Sequence, residues 1–186
     1  MKTSILTPVY QKILLKIGKK CYSSLQSKRS NMTNLDNIDL HILKFLQEDA
    51  LMTNKEIASR LNMTTTPIHE RIKRLERDGV IEKYTAILNK SKLGKSLVVL
   101  VDVTLKEHAA VFLEQFEKDV LLLPEVVECY CISGGSDFLL KVLMKDMDEY
   151  RHFILHKLAT LANIGNAQSR FVVNEIKSQT PVPISI

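Results

Sequence analysis

Between Thr64 and Arg77 the chain concentrates side chains that can recognise a charged polymer through hydrogen bonds and ion pairs. Ile68, Ile72 and Leu75 recur at spacings of four and three, which predicts one buried face of a helix. The other positions offer these polar groups: Thr64, Thr65, Thr66, His69, Glu70, Arg71, Lys73, Arg74 and Arg77. Threonine, glutamate and lysine can hydrogen-bond to base edges and arginine can hold phosphates, so the pattern indicates binding of double-stranded DNA.

Position along this helix predicts which groups meet bases and which meet the backbone of the duplex. The N-terminal part of a recognition helix usually enters the major groove. Base-edge contacts are therefore expected from Thr65, Thr66, His69, Glu70 and Lys73. Arg74 and Arg77 lie further along and are expected to hold phosphates. The alternative is a solvated charged face, because the nearby acidic residues nearly balance the basic ones.

The residues before and after Asn62 predict a helix-turn-helix. Thr53, followed three residues later by Glu56, is a capping box that opens a short helix ending near Asn62. The threonine run offers N-cap hydroxyls for the next helix, and Pro67 suits its first turn. Gly79 suits the left-handed position that commonly ends a helix. Two short helices joined by a tight turn, the second one basic, are typical of DNA-binding proteins.

Two further segments complete an expected winged helix-turn-helix domain. A preceding helix is predicted over residues 35–48, with Asp36 as its N-cap. The stretch Val80–Leu88 alternates polar and apolar residues and is predicted to be a strand, the wing. The polar stretch Asn89–Ser96 follows, and we expect a flexible domain boundary there.

The second half of the chain alternates strand and helix patterns. Strands are predicted at Leu97–Leu105, Val126–Ile132, Phe138–Met144 and Phe171–Ile176, and helices at Ala109–Asp119 and from Asp146 to Leu161. This order is the ferredoxin-like βαββαβ arrangement, with both helices on one face of the sheet, so the fold class is α+β. Strand sequences such as LVVLV and FLLKVLM are apolar on both sides. The face without helices is therefore expected to be covered by the same sheet of a second subunit.

A second group of residues able to bind a ligand is the turn Gly134, Gly135, Ser136 and Asp137. Glycines permit unusual backbone angles and leave N–H groups open to a carboxylate. A carboxylate such as Asp137 can pair with an ammonium group. The alternative is a hairpin turn in which Asp137 only accepts local backbone hydrogen bonds.

Charge is unevenly distributed along the chain. Residues 1–31 carry seven Lys or Arg and no acidic residue, residues 32–95 carry eleven basic and nine acidic residues, and residues 96–186 carry eight basic and twelve acidic residues. The net positive charge of the body of the protein thus lies on the proposed DNA-binding half. An acidic half facing away from DNA fits a sensing or partner-binding role.

The expected organisation has four parts. These are a basic leader at 1–31, a DNA-binding domain with its linker at 32–95, a ligand-sensing and oligomerisation domain at 96–180, and a tail at 181–186. The leader could be a mitochondrial transit peptide, a basic arm that touches DNA, or sequence read from an early start codon. The third interpretation is favoured, because the segment that begins at Met32 resembles the usual start of a known protein family.

Several other classes of protein find little support in the sequence. No apolar run is long enough to span a membrane. Motifs of phosphate loops, nucleophile elbows and zinc proteases are missing, so neither enzyme activity nor a cofactor is expected. His152 and His156 lie four apart on a helix, but no third metal ligand is evident. Three cysteines without CxxC spacing indicate a reducing cytoplasm, with Cys129 and Cys131 expected in core packing.

The segments LDNIDLHILKFLQEDA and TNKEIASRLNMTTTPIHERIKRLERDGVIEKYTAILNKSKLG resemble the DNA-binding half of the leucine-responsive regulatory protein family, the Lrp/AsnC or feast/famine regulators of bacteria and archaea. The matching positions are Leu35, Asp36, Asp39, Ile42, Leu43, Leu46, Glu56, Ile57, Ala58, Arg71, Leu75, Glu76, Gly79, Val80, Ile81, Tyr84, Ala86, Leu93 and Gly94. The similarity covers residues 32–180. It departs at Leu51, where arginine is common, and at Lys83, where glycine is usual.

The resemblance implies homodimers that commonly assemble into octamers, and an amino-acid effector bound near a G-x-x-D turn between dimers. Gly134 and Asp137 match that turn. The expected function is a sequence-specific DNA-binding transcriptional regulator that responds to an amino acid or a related small molecule. The rival is a metabolite-sensing or protein-interaction module that does not bind DNA. An enzyme on the ferredoxin-like half is a third possibility, which lacks a nucleophile–base pair.

Overall fold

The computed structural model describes residues 34–178 and 182–185, so the expectations for the leader at 1–31 lie outside the described part. The described residues form two compact units, one holding Asn89–Glu175 and the other the residues up to Leu88 together with those from Ile176. The domain limits expected from the sequence stay predictions. Within the described ranges, no helix is both long and apolar enough to cross a membrane.

Three helices make up the first unit: α1 at Asn37–Glu48, α2 at Asn54–Arg60 and α3 at Thr65–Arg77. Their apolar faces meet in a core whose buried residues are Ile42, Ile57, Ala58, Ile68, Ile72 and Leu75. Burying one large aliphatic side chain contributes about 1.5–3 kcal/mol. Because a helix as short as α2 is unstable alone, this shared core holds it in place.

Capping boxes set the starts of α1 and α2, which confirms the predicted N-cap at Asp36 and the predicted capping box of Thr53 and Glu56. The Asp36 side chain accepts a hydrogen bond from the Asp39 N–H at 2.9 Å, and the Asp39 side chain accepts one from the Asp36 N–H at 3.1 Å. Thr53 and Glu56 form the same reciprocal pair at the start of α2. The hydrogen bond from the Thr53 hydroxyl is the main cause that lowers the pKa of Glu56.

Two residues with positive φ follow α2 and α3. Asn62, with φ of 52°, turns the chain between α2 and α3. Gly79, with φ of 70°, follows α3, and the Val80 N–H then donates to the Leu75 carbonyl at 2.9 Å. The left-handed glycine stop predicted from the sequence is therefore confirmed.

The stretch Val80–Leu88 forms no strand, so the wing strand predicted there is wrong for the described chain. A strand needs a neighbour that pairs with its N–H and C=O groups, and no described segment forms a ladder with this one. Residues 82–89 are exposed, and the Tyr84 hydroxyl donates to Glu76 at 3.1 Å. The alternation of polar and apolar residues therefore indicated an extended chain, but it could not show whether a second strand would pair with it.

A four-stranded antiparallel sheet beneath two helices forms the second unit. The chain order is β1 Leu97–Leu105, α4 Ala110–Val120, β2 Val126–Cys131, β3 Phe138–Met144, α5 Met147–His156 and β4 Ile164–Phe171. The strands lie in the order β2-β3-β1-β4, and every neighbouring pair is antiparallel. This confirms the ferredoxin-like arrangement. The helical pattern predicted to reach Leu161 breaks after His156, where a 3₁₀ turn at Leu158–Thr160 follows.

One face of the sheet and both helices enclose the second core. Val101 of β1 lies opposite Leu140 of β3, and both are fully buried. Phe116 from α4 packs on Phe138 from β3 with ring centroids 4.5 Å apart, and Phe153 from α5 belongs to the same cluster. The two helices therefore cover the same face, as the right-handed crossover rule predicts.

The last strand was predicted at Phe171–Ile176 and instead occupies Ile164–Phe171. Among the described strands this one pairs with β1 alone, from Phe171 opposite Val99 to Ile164 opposite Leu105, so it forms an edge of the sheet. Most of its side chains are exposed, and an edge strand of this kind needs few apolar residues. The more apolar residues after it include Val173, which is fully exposed.

The core packing predicted for Cys129 and Cys131 is wrong, because both residues are exposed. They lie on the other edge strand, β2, opposite Leu140 and Phe138, so they reach only the rim of the helix-covered face. Partial burial of the Cys129 thiol and the charge of Glu117 raise its pKa to about 11. The Cys129 thiol is therefore protonated near neutral pH. Because the thiolate is the form that binds metals and reacts, this raised pKa disfavours both roles.

Replacing Gly165 with alanine is expected to destabilise the sheet by about 1–3 kcal/mol, because a Cβ there would lie 3.0 Å from the Thr104 backbone oxygen. The clash falls where the β1–β4 register shifts between Thr104 and Leu105, and backbone atoms there cannot move aside cheaply. The free energy of unfolding in urea measures the effect. Gly135→Ala is the control, since an added Cβ there meets nothing within 4 Å. Equal stability of the two variants would contradict the close approach.

Candidate nucleic-acid interface and effector turn

The first turn of α3 presents a row of exposed hydroxyl groups. Thr64 is the N-cap residue, with extended backbone angles, and its side chain makes no capping hydrogen bond to the described residues. Thr65 and Thr66 follow in the first turn and are also exposed. Threonine hydroxyls and methyl groups can contact base edges. The capping hydroxyl predicted from the threonine run is therefore not used at Thr64, and that hydroxyl is available to a ligand.

Three more residues expected at base edges lie on the exposed side of α3. His69 is exposed and lies 3.1 Å from the Asn54 amide, measured from Nδ1 to Nδ2, so α2 orients its ring. Glu70 is exposed as well. Lys73 is 63% exposed, and its Nζ lies 3.2 Å from a Glu76 carboxylate oxygen. An exposed pair of this kind is weak, so the lysine can exchange Glu76 for another acceptor at little cost.

Arg77, at the end of α3, is the most accessible arginine of the expected interface. Its side chain is 74% exposed, and its Nε lies 3.1 Å from the neighbouring Asp78 carboxylate. The exposed fraction leaves the guanidinium open to a phosphate.

Arg71 and Arg74 are placed differently, because both turn toward α1. The Nη1 of Arg71 donates to Asp36 at 2.6 Å and to Asp39 at 2.8 Å, and the Nη2 of Arg74 donates to Asp39. The Asp39 side chain is fully buried, while those of Arg71 and Arg74 are 24% and 40% exposed. Its position in the sequence predicted that Arg74, like Arg77, holds a phosphate. Helical periodicity alone could not show that Arg74 contacts the carboxylate of Asp39. A role of Arg71 or Arg74 in DNA binding stays a prediction.

The protonation equilibria reflect this ion-pair network. The pKa of Arg71 is raised mainly by its hydrogen bonds to Asp36 and Asp39. The pKa of Asp36 is lowered first by the hydrogen bond from the Asp39 N–H and then by Arg71. A charged Asp36 therefore favours the folded unit above its ordinary pKa, and this contribution is lost as pH falls through the lowered value.

The Gly134–Asp137 turn lies at one end of the sheet, where the Asp137 carboxylate links two segments. Its Oδ2 accepts a hydrogen bond from the Leu105 N–H at 2.8 Å and lies 3.0 Å from the Nε2 of His108. Gly134 has φ of 136°, a conformation that favours glycine. An added Cβ at Gly134 or Gly135 would meet nothing within 4 Å, so the backbone of the turn is open on that side.

His108 is a neighbour of Asp137 that sequence reasoning missed. It follows β1, twenty-nine positions before Asp137, and only the pairing of β1 with β3 brings the two together. Asn163 braces the same loop, since its side chain bonds to both the N–H and the C=O of Glu107. No short motif in the sequence signals such a meeting of loops.

His152 and His156 stack on the exposed side of α5, with ring centroids 4.8 Å apart. Over residues 34–178 and 182–185, no group of three or more histidine, cysteine, aspartate or glutamate side chains could hold a metal ion.

The three-helix unit followed by a βαββαβ sheet places the chain among helix-turn-helix DNA-binding proteins that carry a second, α+β domain. Residues 35–82 match the family model for a winged helix-turn-helix DNA-binding domain, and residues 98–182 match the one for the Lrp/AsnC ligand binding domain. The chain belongs to the Lrp/AsnC family of transcriptional regulators. Its resemblance to that family, stated from the sequence, is confirmed.

The chain aligns with leucine-responsive regulatory proteins along nearly their whole length. The leucine-responsive regulatory proteins of Escherichia coli strain K12, Klebsiella pneumoniae and Serratia marcescens are each 38% identical over 160 residues. The alignments cover 86% of this chain and 98% of each relative.

Solved structures carry the same fold. A transcriptional regulator of Neisseria meningitidis, solved as a complex with L-Met, has 34% identity and a TM-score of 0.77, covering 81% of this chain and 97% of that one. An AsnC family transcriptional regulator from Agrobacterium tumefaciens has 34% identity and a TM-score of 0.76, with 80% and 97% covered.

Asp39→Ala is expected to destabilise the first unit strongly, because it leaves the guanidinium groups of Arg71 and Arg74 without their buried partner. Breaking a buried ion pair costs about 3–5 kcal/mol, and partial exposure of the arginines puts this case at the lower end. Thermal and urea unfolding followed by circular dichroism measure the change. Asp78→Ala is the matched control, since Asp78 pairs with the exposed Arg77. A loss for Asp39→Ala no larger than for Asp78→Ala would contradict the importance of the network.

Proposed function

We propose that this transcriptional regulator reads duplex DNA with the first half of α3 and holds phosphates with its end. The observation that carries the proposal is the row of exposed polar groups from Thr64 to Lys73, none of them in the core of the unit. The base-reading residues of the proposal are Thr64, Thr65, Thr66, His69, Glu70 and Lys73. Arg77 supplies a phosphate contact, and the exposed fraction of its side chain supports this role.

The second part of the proposal is an amino-acid effector at the Gly134–Asp137 turn. An amino acid carries a carboxylate and an ammonium group at a fixed separation. Open backbone N–H groups of the turn would receive the carboxylate, and Asp137 would receive the ammonium. Among the described residues, both side-chain contacts of the Asp137 carboxylate use Oδ2, so Oδ1 would be the acceptor for a ligand. The Neisseria meningitidis relative was solved with L-Met, which supports this ligand class.

The third part is homodimer formation through the sheet face that α4 and α5 leave uncovered, with further assembly toward octamers as the family resemblance implies. Leu100, Leu139 and Leu143 lie on this face and are partly buried in the single chain. Across the same face Arg170 pairs with Asp102 at 2.7 Å and Lys141 pairs with Glu128 at 3.0 Å. Two copies related by a twofold axis would cover the leucines with each other. We propose the cytoplasm as the compartment of this assembly, because three cysteines without CxxC spacing are typical of a reducing environment.

Arg77→Ala and Lys73→Ala are expected to affect DNA binding in different ways. Losing one phosphate contact at Arg77 should weaken binding to every duplex and lower the log–log salt slope by about 0.9. Losing a base contact at Lys73 should weaken binding mainly to the preferred sequence, by about 1–3 kcal/mol. Fluorescence anisotropy with a duplex that the parent selects from a random library, and with a scrambled duplex, separates the two effects. Parental binding by both variants would show that α3 is not the DNA-reading helix.

Asp137→Asn is expected to blunt the response to an amino acid while leaving effector-free DNA binding unchanged. The amide keeps an acceptor for the Leu105 N–H but lacks the charge that an ammonium group requires. Typical coupling between two such sites amounts to about 1–3 kcal/mol, so the parental shift in DNA affinity is measurable. Operator affinity and sedimentation are followed across a panel of amino acids.

The matched control for this test is Asp148→Asn, which removes a carboxylate from α5 whose side chain is 91% exposed. The control should respond to the same amino acid as the parent at the same concentration. An Asp137→Asn protein that does likewise would falsify the proposed site. A parent that responds to no amino acid would instead refute the effector class.

A further inference from the structure

Among the residues that the structure describes, Asp39 is the one polar or charged residue that is buried. Carboxylates are almost never fully buried unless they are paired, because desolvation of the charge is costly. Asp39 is paired thoroughly, since it accepts hydrogen bonds from the Asp36 N–H, from Arg71 and from Arg74. Three donors around one buried carboxylate form a fixed arrangement between α1 and α3.

Both ends of this arrangement are held in place. On α1, Asp39 lies in the first turn, where the capping box with Asp36 fixes its side chain. On α3, Arg71 and Arg74 lie three residues apart, and both guanidinium groups reach the same carboxylate. Arg71 also reaches Asp36, so it joins two carboxylates at once. The contact therefore limits rotation of α3 about its axis as well as its distance from α1.

We propose that Asp39 is a positioning residue for DNA recognition: it holds Arg71 and Arg74 against α1, sets the orientation of α3, and leaves Lys73 and Arg77 as the cations that face the duplex. The proposal rests on the assignment of α3 as the DNA-reading helix. Two of the four cations of α3 then position the helix and the other two contact DNA, a division that their spacing in the sequence does not show.

The carboxylates of Asp36 and Asp39 would compete with a DNA phosphate for Arg71, and this competition supports the positioning role of Arg71. A phosphate that captured Arg71 would have to replace two carboxylates, and it would leave the buried Asp39 short of a donor. Removing a partner from a buried charge is much more costly than breaking an exposed pair. Arg77 and Lys73 are themselves exposed and pair with partly exposed carboxylates, so a phosphate or a base edge can replace those partners more readily.

Contacts with base edges depend on the orientation of α3 more strongly than contacts with phosphates do. Hydrogen bonds to base edges depend on short side chains such as threonine meeting particular atoms in the groove. Contacts to phosphates are made by long, flexible side chains and carry no direct sequence information. A small rotation of α3 should therefore reduce the preference for one sequence while keeping most of the general affinity for DNA.

The test compares Arg71→Met with Arg77→Met in the full-length chain. Affinities are measured for a duplex that the parent selects from a random library and for a scrambled duplex, between about 50 and 200 mM salt. Arg77→Met should lower both affinities by a similar factor and reduce the log–log salt slope by about 0.9. Arg71→Met should keep the parental slope on the scrambled duplex. It should lower the ratio of specific to scrambled affinity about tenfold, roughly the value of one base contact.

Asp36→Asn provides a second variant that tolerates a loss of stability. Asp36 is 51% exposed, so its substitution removes one of the two carboxylates of Arg71 without leaving a buried charge unpaired. A smaller fall in the affinity ratio than that of Arg71→Met is expected. Unfolding curves set a temperature at which every variant is folded, so that binding reports orientation and not the folded fraction.

Two results would overturn the positioning role. A salt slope that falls as much for Arg71→Met as for Arg77→Met would make Arg71 a phosphate ligand. Parental affinity ratios for folded Arg71→Met and Asp36→Asn would leave the network with a purely structural role. A parent that binds all duplexes alike, or none, would refute the DNA-reading role of α3, on which the positioning role depends.

Discussion

Burial of the Asp39 carboxylate is the constraint on which the arrangement of the DNA-binding unit depends. The unit has a small core, and α2 is too short to be stable without its neighbours. The hydrophobic effect is not directional, so apolar burial alone restricts the angle between α1 and α3 less than hydrogen bonds of fixed geometry do. The guanidinium groups of Arg71 and Arg74 are directional donors, and they meet a carboxylate that its own capping box holds still.

A consequence is that charge on α3 is not equivalent to charge available for binding. The helix carries Arg71, Lys73, Arg74 and Arg77, yet two of them are neutralised by residues of α1. General affinity for DNA depends on the accessible cations, whereas sequence preference depends on how accurately the polar first turn meets the groove. In the proposed role of α3, the helix would separate the two contributions by the direction in which its basic side chains point.

Short-range rules predicted the parts of the fold that are set by short-range physics. The Thr53–Glu56 capping box, the Asp36 N-cap and the glycine stop at Gly79 each involve residues within a few positions of one another. The strand at Ile164–Phe171 escaped prediction because backbone pairing with β1, and not apolar composition, holds an edge strand. At the candidate sites, periodicity placed the exposed face of α3. It could not show Asp39 beneath Arg74 or His108 beside Asp137, since both contacts join distant segments.

The two aspartates at the candidate sites illustrate how burial decides what a carboxylate can do. Asp39 is fully buried with three donors around it, so releasing any of them is costly and the group serves to fix geometry. Asp137 retains 22% exposure, and its contacts with Leu105 and His108 converge on one oxygen. In the proposed effector site, a partly exposed carboxylate of this kind would exchange partners with an incoming cation at modest cost. Asp39 therefore suits the proposed role of keeping α3 in its orientation, and Asp137 suits the proposed role of binding a ligand that must arrive and leave.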